Sequence, residues 1–170
     1  MLGTGGLSAE GQIASRVLRE ALERAPGGAL LTVASASMRP CLHEGDRIRV
    51  QRVSPRSLAP GDVVVYDSEA AGLVVHRLVW RNHLLGQPTR IITKGDAHGR
   101  LDRSFGPERL VGRVVSVQRG EVSLSPTRLP DRIRCVMQAG GYFFGRCVRA
   151  VLGRRAPAAL SERAHRLEDS

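Results

Sequence analysis

Hydrophobic and polar positions along this chain fall into three regimes. From residue 8 to 25 the apolar residues recur at helical spacing, with Ile13, Val17, Leu18, Ala21 and Leu22 on one face. Pro26-Gly27-Gly28 stops the run. The spacing predicts an N-terminal amphipathic helical arm over residues 1–28. From Ala29 to about Val122 the period falls to two and turn residues become frequent. Ala29 to Ala34, Asp46 to Val50, Val63 to Tyr66, Leu73 to Val79, Ile91 to Thr93 and Val111 to Val117 read as strands. Gly-Asp recurs at Gly45-Asp46, Gly61-Asp62 and Gly95-Asp96, a pair suited to strand boundaries. The expected fold is mostly β: a coiled antiparallel sheet or partial barrel over residues 29–122.

After Pro126 helical spacing returns. Ile133, Val136, Met137, Gly140, Phe144, Cys147, Val148 and Val151 share a face flanked by Arg132, Arg134, Arg146 and Arg149. This predicts a basic amphipathic helical C-terminal tail over residues 123–170. Two uses stay open for it: packing on the sheet or on a second copy, or lying on an anionic membrane surface. Gly140-Gly141 weakens the helix by about 1 kcal/mol per glycine relative to alanine.

Composition narrows the partners. A chain of 170 residues fits one domain with appendages. With aromatics at 4%, the core must rest on aliphatic side chains. The net charge of +10 is almost all arginine, Lys94 being the only lysine, and it favours acidic partners. Nucleic acid is not expected: one helix ahead of the sheet is too little for a helix-turn-helix, and stacking aromatics are lacking. Cys41, Cys135 and Cys147 are odd in number. On a shared helix the last two stand about 18 Å apart, whereas a disulfide needs Cα atoms about 5.5 Å apart. Three free thiols fit a reducing compartment. No window approaches about 20 apolar residues, and no basic-then-apolar leader is seen. The expected location is therefore cytoplasmic, or peripheral at the membrane surface.

Three segments carry candidate chemistry. Ser37 lies in Ser35-Ala36-Ser37-Met38-Arg39-Pro40, after an apolar strand, with Pro40 fixing the exit of the chain. A serine hydroxyl needs a neighbouring base to become a nucleophile. His76 lies in an apolar strand whose alternation groups Val74, His76 and Leu78 on one face, so its ring needs a polar partner. An imidazole titrating near 6.5 accepts a proton at neutral pH, whereas a lysine base must be shifted by about 3 units. Asp96 and Asp102 are both candidates to orient the imidazole, Asp96 slightly favoured. Two residues before Ser37 on an extended chain, the Ser35 hydroxyl projects to the same side. With the Ser37 N–H it could form an oxyanion hole. No histidine–cysteine grouping has metal-ligand spacing, so neither a metal nor another cofactor is expected.

These segments resemble the type I signal peptidase family, in its archaeal and endoplasmic-reticulum branch. The branch uses serine and histidine where the bacterial enzymes pair serine with lysine. Ser35 to Pro40 is similar to the family's serine box, Leu58 to Tyr66 to its Gly-Asp strand, Val75-His76-Arg77 to its histidine box, and Thr93-Lys94-Gly95-Asp96 to its aspartate box. The resemblance covers roughly residues 29 to 116. It implies a coiled, mostly β fold shared with LexA-like self-cleaving repressors. It also implies Ser37 as nucleophile, His76 as base, Asp96 and Asp102 as the acidic members, and Ser35 as oxyanion donor. Three departures stand out. No transmembrane anchor is seen, Cys41 follows Pro40, and Ala97-His98 follows Asp96 where paired asparagines are common. The implied activity is a serine endopeptidase that cleaves a precursor protein or leader peptide after small residues. The rivals are a catalytically idle peptide-binding relative and a LexA-like protein that cleaves itself.

Overall fold

The computed structural model describes residues 9–82, 89–126 and 137. The chain divides into one unit over residues 1–136 and a second over 137–170. The expected basic C-terminal helix lies outside the described residues, as do His83, Cys135, Cys147 and His165.

Helix α1 (Ala9–Arg24) is followed by seven strands: β1 (Ala29–Thr32), β2 (Arg47–Gln51), β3 (Val63–Ser68), β4 (Gly72–Arg81), β5 (Ile91–Lys94), β6 (Leu110–Arg119) and β7 (Val122–Leu124). They form one antiparallel sheet in the order β1-β2-β6-β3-β4-β5. β7 adds to β6 at Val117–Arg119, beyond the stretch that pairs with β3. The sheet is not closed. Its ladder shifts register between Arg49 and Val50, between Val65 and Tyr66, and between Leu78 and Trp80. Such irregularities bend strands and increase their twist, so the sheet curves without joining its edges.

Both faces of the central strands are buried, which explains the unbroken Val63-Val64-Val65 run. Val63 and Val65 join Ile48, Val50, Val111, Val114 and Val117 in one cluster, beneath Leu18 and Leu22 of α1. Val64 and Tyr66 face the other way, into a second cluster with Leu58, Leu78, Ile91, Phe105 and Leu110. Burying each leucine or valine of this kind stabilises the fold by about 1.5–3 kcal/mol.

The helix is rotated from its expected setting. Ser15, Leu18 and Leu22 form the buried seam, while Ile13 and Val17 are exposed at 58% and 59%. The cause is a close backbone approach. A Cβ on Gly72, which has a φ of +68°, would stand 3.0 Å from the Gly11 Cα. Small residues at 11 and 15 let the helix settle onto the β3–β4 turn, and that contact outweighs the pull of Ile13 and Val17.

The first two Gly-Asp pairs do the turn work expected of them. Gly45 and Gly61 have positive φ. Asp46 Oδ2 accepts from the His43 N–H at 2.8 Å, and Asp62 Oδ2 from the Ala59 N–H at 2.9 Å. Asp46 also receives both arms of Arg119, at 2.8 and 2.6 Å, tying the loop before β2 to the end of β6.

Arg119 holds the Asp46 carboxyl below its ordinary value of 3.8; burial opposes this, and the His43 amide adds to it. The folded pKa lies below the unfolded one, so the unfolded chain takes up more protons between them. The contribution is therefore complete above the unfolded value and is lost as pH falls through the folded one. Arg119→Met should lower stability at neutral pH. It should also flatten the acid limb of stability against pH below about 4. Denaturant titrations across that range measure both.

Candidate active site

The site forms where three segments meet: the turn after β1, the middle of β4, and the loop after β5. Val33, Met38 and Leu42 are buried on either side of the serine turn and pin it to the first core cluster. Between them the chain is extended at Ser35 (φ −144°, ψ 160°), then winds through one 3-10 turn at Ala36–Met38. β1 itself ends at Thr32, so Ser37 stands on that turn and not at a strand end. Ser35 and Ser37 still face the same way, with their hydroxyl oxygens 3.4 Å apart.

His76 is placed by strand register. It lies opposite Val64, with Val74 opposite Tyr66. Its side chain therefore enters the second cluster's face, as the alternation predicted, and the residue is only 6% exposed. A buried imidazole needs partners for its polar atoms. His76 Nδ1 lies 2.6 Å from Asp102 Oδ2. The same carboxylate oxygen accepts from Thr93 Oγ1 at 2.7 Å and from Tyr66 Oη at 3.4 Å. Burial pushes the Asp102 carboxyl up, but these hydrogen bonds and the imidazole together outweigh it and hold the group below the usual carboxylate range. Burial and the Asp102 charge push the Tyr66 phenol up to about 12, so it stays a donor. Tyr66 stacks on Phe105 with ring centroids 4.2 Å apart, which fixes its reach.

A carboxylate only accepts. The His76 proton therefore resides on Nδ1, and in the neutral ring Nε2 carries the lone pair. Nε2 points toward Gly95. A Cβ built on Gly95 would lie 3.0 Å from His76 Nε2, 2.7 Å from the Ser37 carbonyl oxygen and 2.8 Å from His98 Nδ1. The third Gly-Asp pair thus differs from the other two. Gly95 does not have the positive φ of Gly45 and Gly61; its hydrogen is needed because the serine turn and the imidazole converge on it. The loop is fastened there by the Ala97 N–H, which donates to the Ser37 carbonyl at 3.0 Å. The Asp102 N–H donates to the Thr93 carbonyl at 2.9 Å.

Asp96 does not orient the imidazole, contrary to the slight preference drawn from sequence. Its two oxygens receive Arg77 Nε and Nη2 at 2.8 and 2.6 Å. Arg77 follows His76 in β4 and so points to the opposite face, where Nη1 also donates to the Gly61 carbonyl at 2.9 Å. Asp96 shapes the loop and Asp102 meets the ring. In this structure the Ser37 hydroxyl bonds Ser35; among the described residues no hydrogen bond joins it to His76. A serine hydroxyl swings between staggered wells about χ1, and the bond to a base commonly tightens only around bound substrate.

Sequence reasoning missed Tyr66, Thr93 and His98. The signal for Tyr66 was its place two residues after Val64 in the strand opposite His76. His98 is exposed and meets the His76 ring edge to face, with centroids 5.6 Å apart. Among the described residues no three His, Cys, Asp or Glu side chains gather as a ready metal-ligand set. No helix among them is long and apolar enough to cross a membrane. Neither a protein-family model nor a curated protein matches this chain.

Gly95→Ala would drive a methyl into the Ser37 carbonyl and the imidazole. Overpacking of this kind costs about 1–3 kcal/mol. The variant should lose that much in a denaturant titration, and the His76 ring resonances should shift in its NMR spectrum.

Proposed function

We propose that this protein is a serine endopeptidase of the signal-peptidase type, acting on a precursor protein or leader peptide after small residues. One observation carries the reading. Asp102 fixes the His76 tautomer so that the free ring nitrogen faces the Ser37 turn. The open antiparallel sheet with one packed helix is compatible with the signal-peptidase and LexA-like fold.

His76 Nε2 takes the Ser37 proton as the hydroxyl oxygen attacks the scissile carbonyl. Asp102 stays ionised and stabilises the imidazolium. The Ser37 N–H and the Ser35 hydroxyl donate to the developing oxyanion; one such donor is worth about 3 kcal/mol of barrier. The imidazolium then protonates the leaving amine. Water, deprotonated by the same ring, releases the acyl group. Substrate adds as a strand to β1, which leads directly into the serine turn. Among the described residues β1 pairs with β2 on one side, leaving its other edge for a peptide. Its residues alternate between half-buried and exposed, and none is fully buried.

The Ser35–Ser37 hydrogen bond favours one rival, an idle relative that binds peptides without cutting them. Incubation of the purified protein with precursors encoded near its gene separates the two. Ser37→Ala and His76→Ala should each lower turnover by about 1000-fold or more, and the double variant should lose little further. Activity should fall as pH is lowered, because a protonated imidazole cannot take the serine proton. Ser37→Ala with full turnover would overturn the assignment, and wild-type protein that binds the precursor without cutting it would support the rival.

A further inference from the structure

We infer that the basic face of β1 and β2 selects the peptide: it takes a strand with acidic side chains at alternate positions, read by Arg47 and Arg49. This selectivity rests on the proposed function, in which substrate pairs with the free edge of β1.

Register defines the face. Directly opposite residues of an antiparallel pair project to the same side. Ile48 and Val50 enter the first core cluster, and Ala29 and Leu31 pack against it. Leu30 lies opposite Arg49 and Thr32 opposite Arg47, so these four project to the other side, where all are exposed. On β6, Arg113 lies opposite Val64, which lies opposite His76. The arginines and the candidate base therefore share one face of the sheet.

That face carries positive charge with little to balance it. β1, β2 and β6 contain no aspartate or glutamate. Asp62 stands 3.7 Å from Arg113 Nη1, but it is buried and also accepts from the Ala59 N–H. Arg49 reaches the Gly27 carbonyl at 3.4 Å, and Arg47 has no hydrogen bond or ion pair among the described residues. Elsewhere arginines meet carboxylates: Arg52 pairs with Glu23, Arg109 with Glu69 and Arg119 with Asp46.

A peptide added to β1 lies two strand spacings, about 10 Å, from β2. Every second side chain of it stands beside Leu30 and Thr32. Thr32 is short, so Arg47 extends over it to meet a carboxylate. Leu30 offers apolar surface to the aliphatic stems of Arg49 and of a glutamate. The intervening side chains turn toward Ala29 and Leu31, where small or apolar residues fit. Arg47 and Arg49 repeat every two residues, the period of a strand; a lipid surface offers no such register.

Fluorescence anisotropy with the full-length Ser37→Ala protein tests this without turnover. The probe is a short labelled peptide that alternates glutamate with alanine. It should bind, and rising salt should weaken it. Adding Arg47→Gln and Arg49→Gln together should weaken it about tenfold. Both side chains are exposed, so this variant should fold. Removing the same charge from α1, with Arg16→Gln and Arg24→Gln, should leave the affinity unchanged. A peptide with the same residues in two blocks should bind more weakly than the alternating one. Equal affinity for the two peptides, or an equal loss from the α1 pair, overturns the inference. So does failure of the alternating peptide to bind while phosphatidylserine vesicles bind through Arg47 and Arg49, or while neither binds. Peptide binding that depends on these arginines, in a protein whose wild-type form cuts no precursor, would leave this face standing and sink the proposed function. Cleavage that depends on Ser37, with peptide binding indifferent to Arg47 and Arg49, would do the reverse.

Discussion

A single carboxylate oxygen organises the centre of this molecule. Asp102 Oδ2 accepts from His76 on β4, Thr93 on β5 and Tyr66 on β3. Three adjacent strands therefore deliver donors to one acceptor carried by the loop that follows them. A half-buried carboxylate without these partners would be disfavoured, and a buried imidazole without the carboxylate would have no reason to keep its proton on Nδ1. The direction in which Nε2 points, and every chemical use of it, follows from that arrangement.

The surrounding fold supplies position. Register sets His76 opposite Val64, and the immediate neighbour Arg77 is thereby sent to the other face to hold Asp96. Adjacent residues of one strand thus take the two aspartates of one loop, on opposite sides of the sheet. The serine turn is anchored by Val33, Met38 and Leu42, and it is latched to the loop by a backbone hydrogen bond from the Ala97 N–H to the Ser37 carbonyl. The absent side chain at Gly95 lets these pieces close on one another.

Most of the architecture was legible because it depends on local period and turn chemistry. Six of the seven strands follow from alternation or β-branched runs, and Gly45-Asp46 and Gly61-Asp62 mark the boundaries they suggested. The three-residue β7 was too short to show a period. The helix was read correctly in extent but not in rotation, since hydrophobicity favoured Ile13 and Val17 while the close approach of Gly11 and Gly72 favoured Ser15. Ser37, His76 and the two aspartates could be named from residue type and order. Which aspartate met the ring could not. Both lie in one loop, and the choice depends on strand pairing and on the competing claim of Arg77. Likewise, nothing local marks Thr93 or Tyr66 as donors to a carboxylate nine and thirty-six residues away.

Arginine gives the chain its basic character, and among the described residues Arg77 bears on the candidate site by holding Asp96. The central claim is that the Ser37 oxygen becomes a nucleophile through His76. Trapping the acyl intermediate with an activated peptidyl ester, followed by mass mapping of the modified residue, tests it most directly. The account predicts one acyl group on Ser37, absent in His76→Ala. Hydrolysis of the ester with no adduct at Ser37, or an adduct on another residue that persists in His76→Ala, would contradict it.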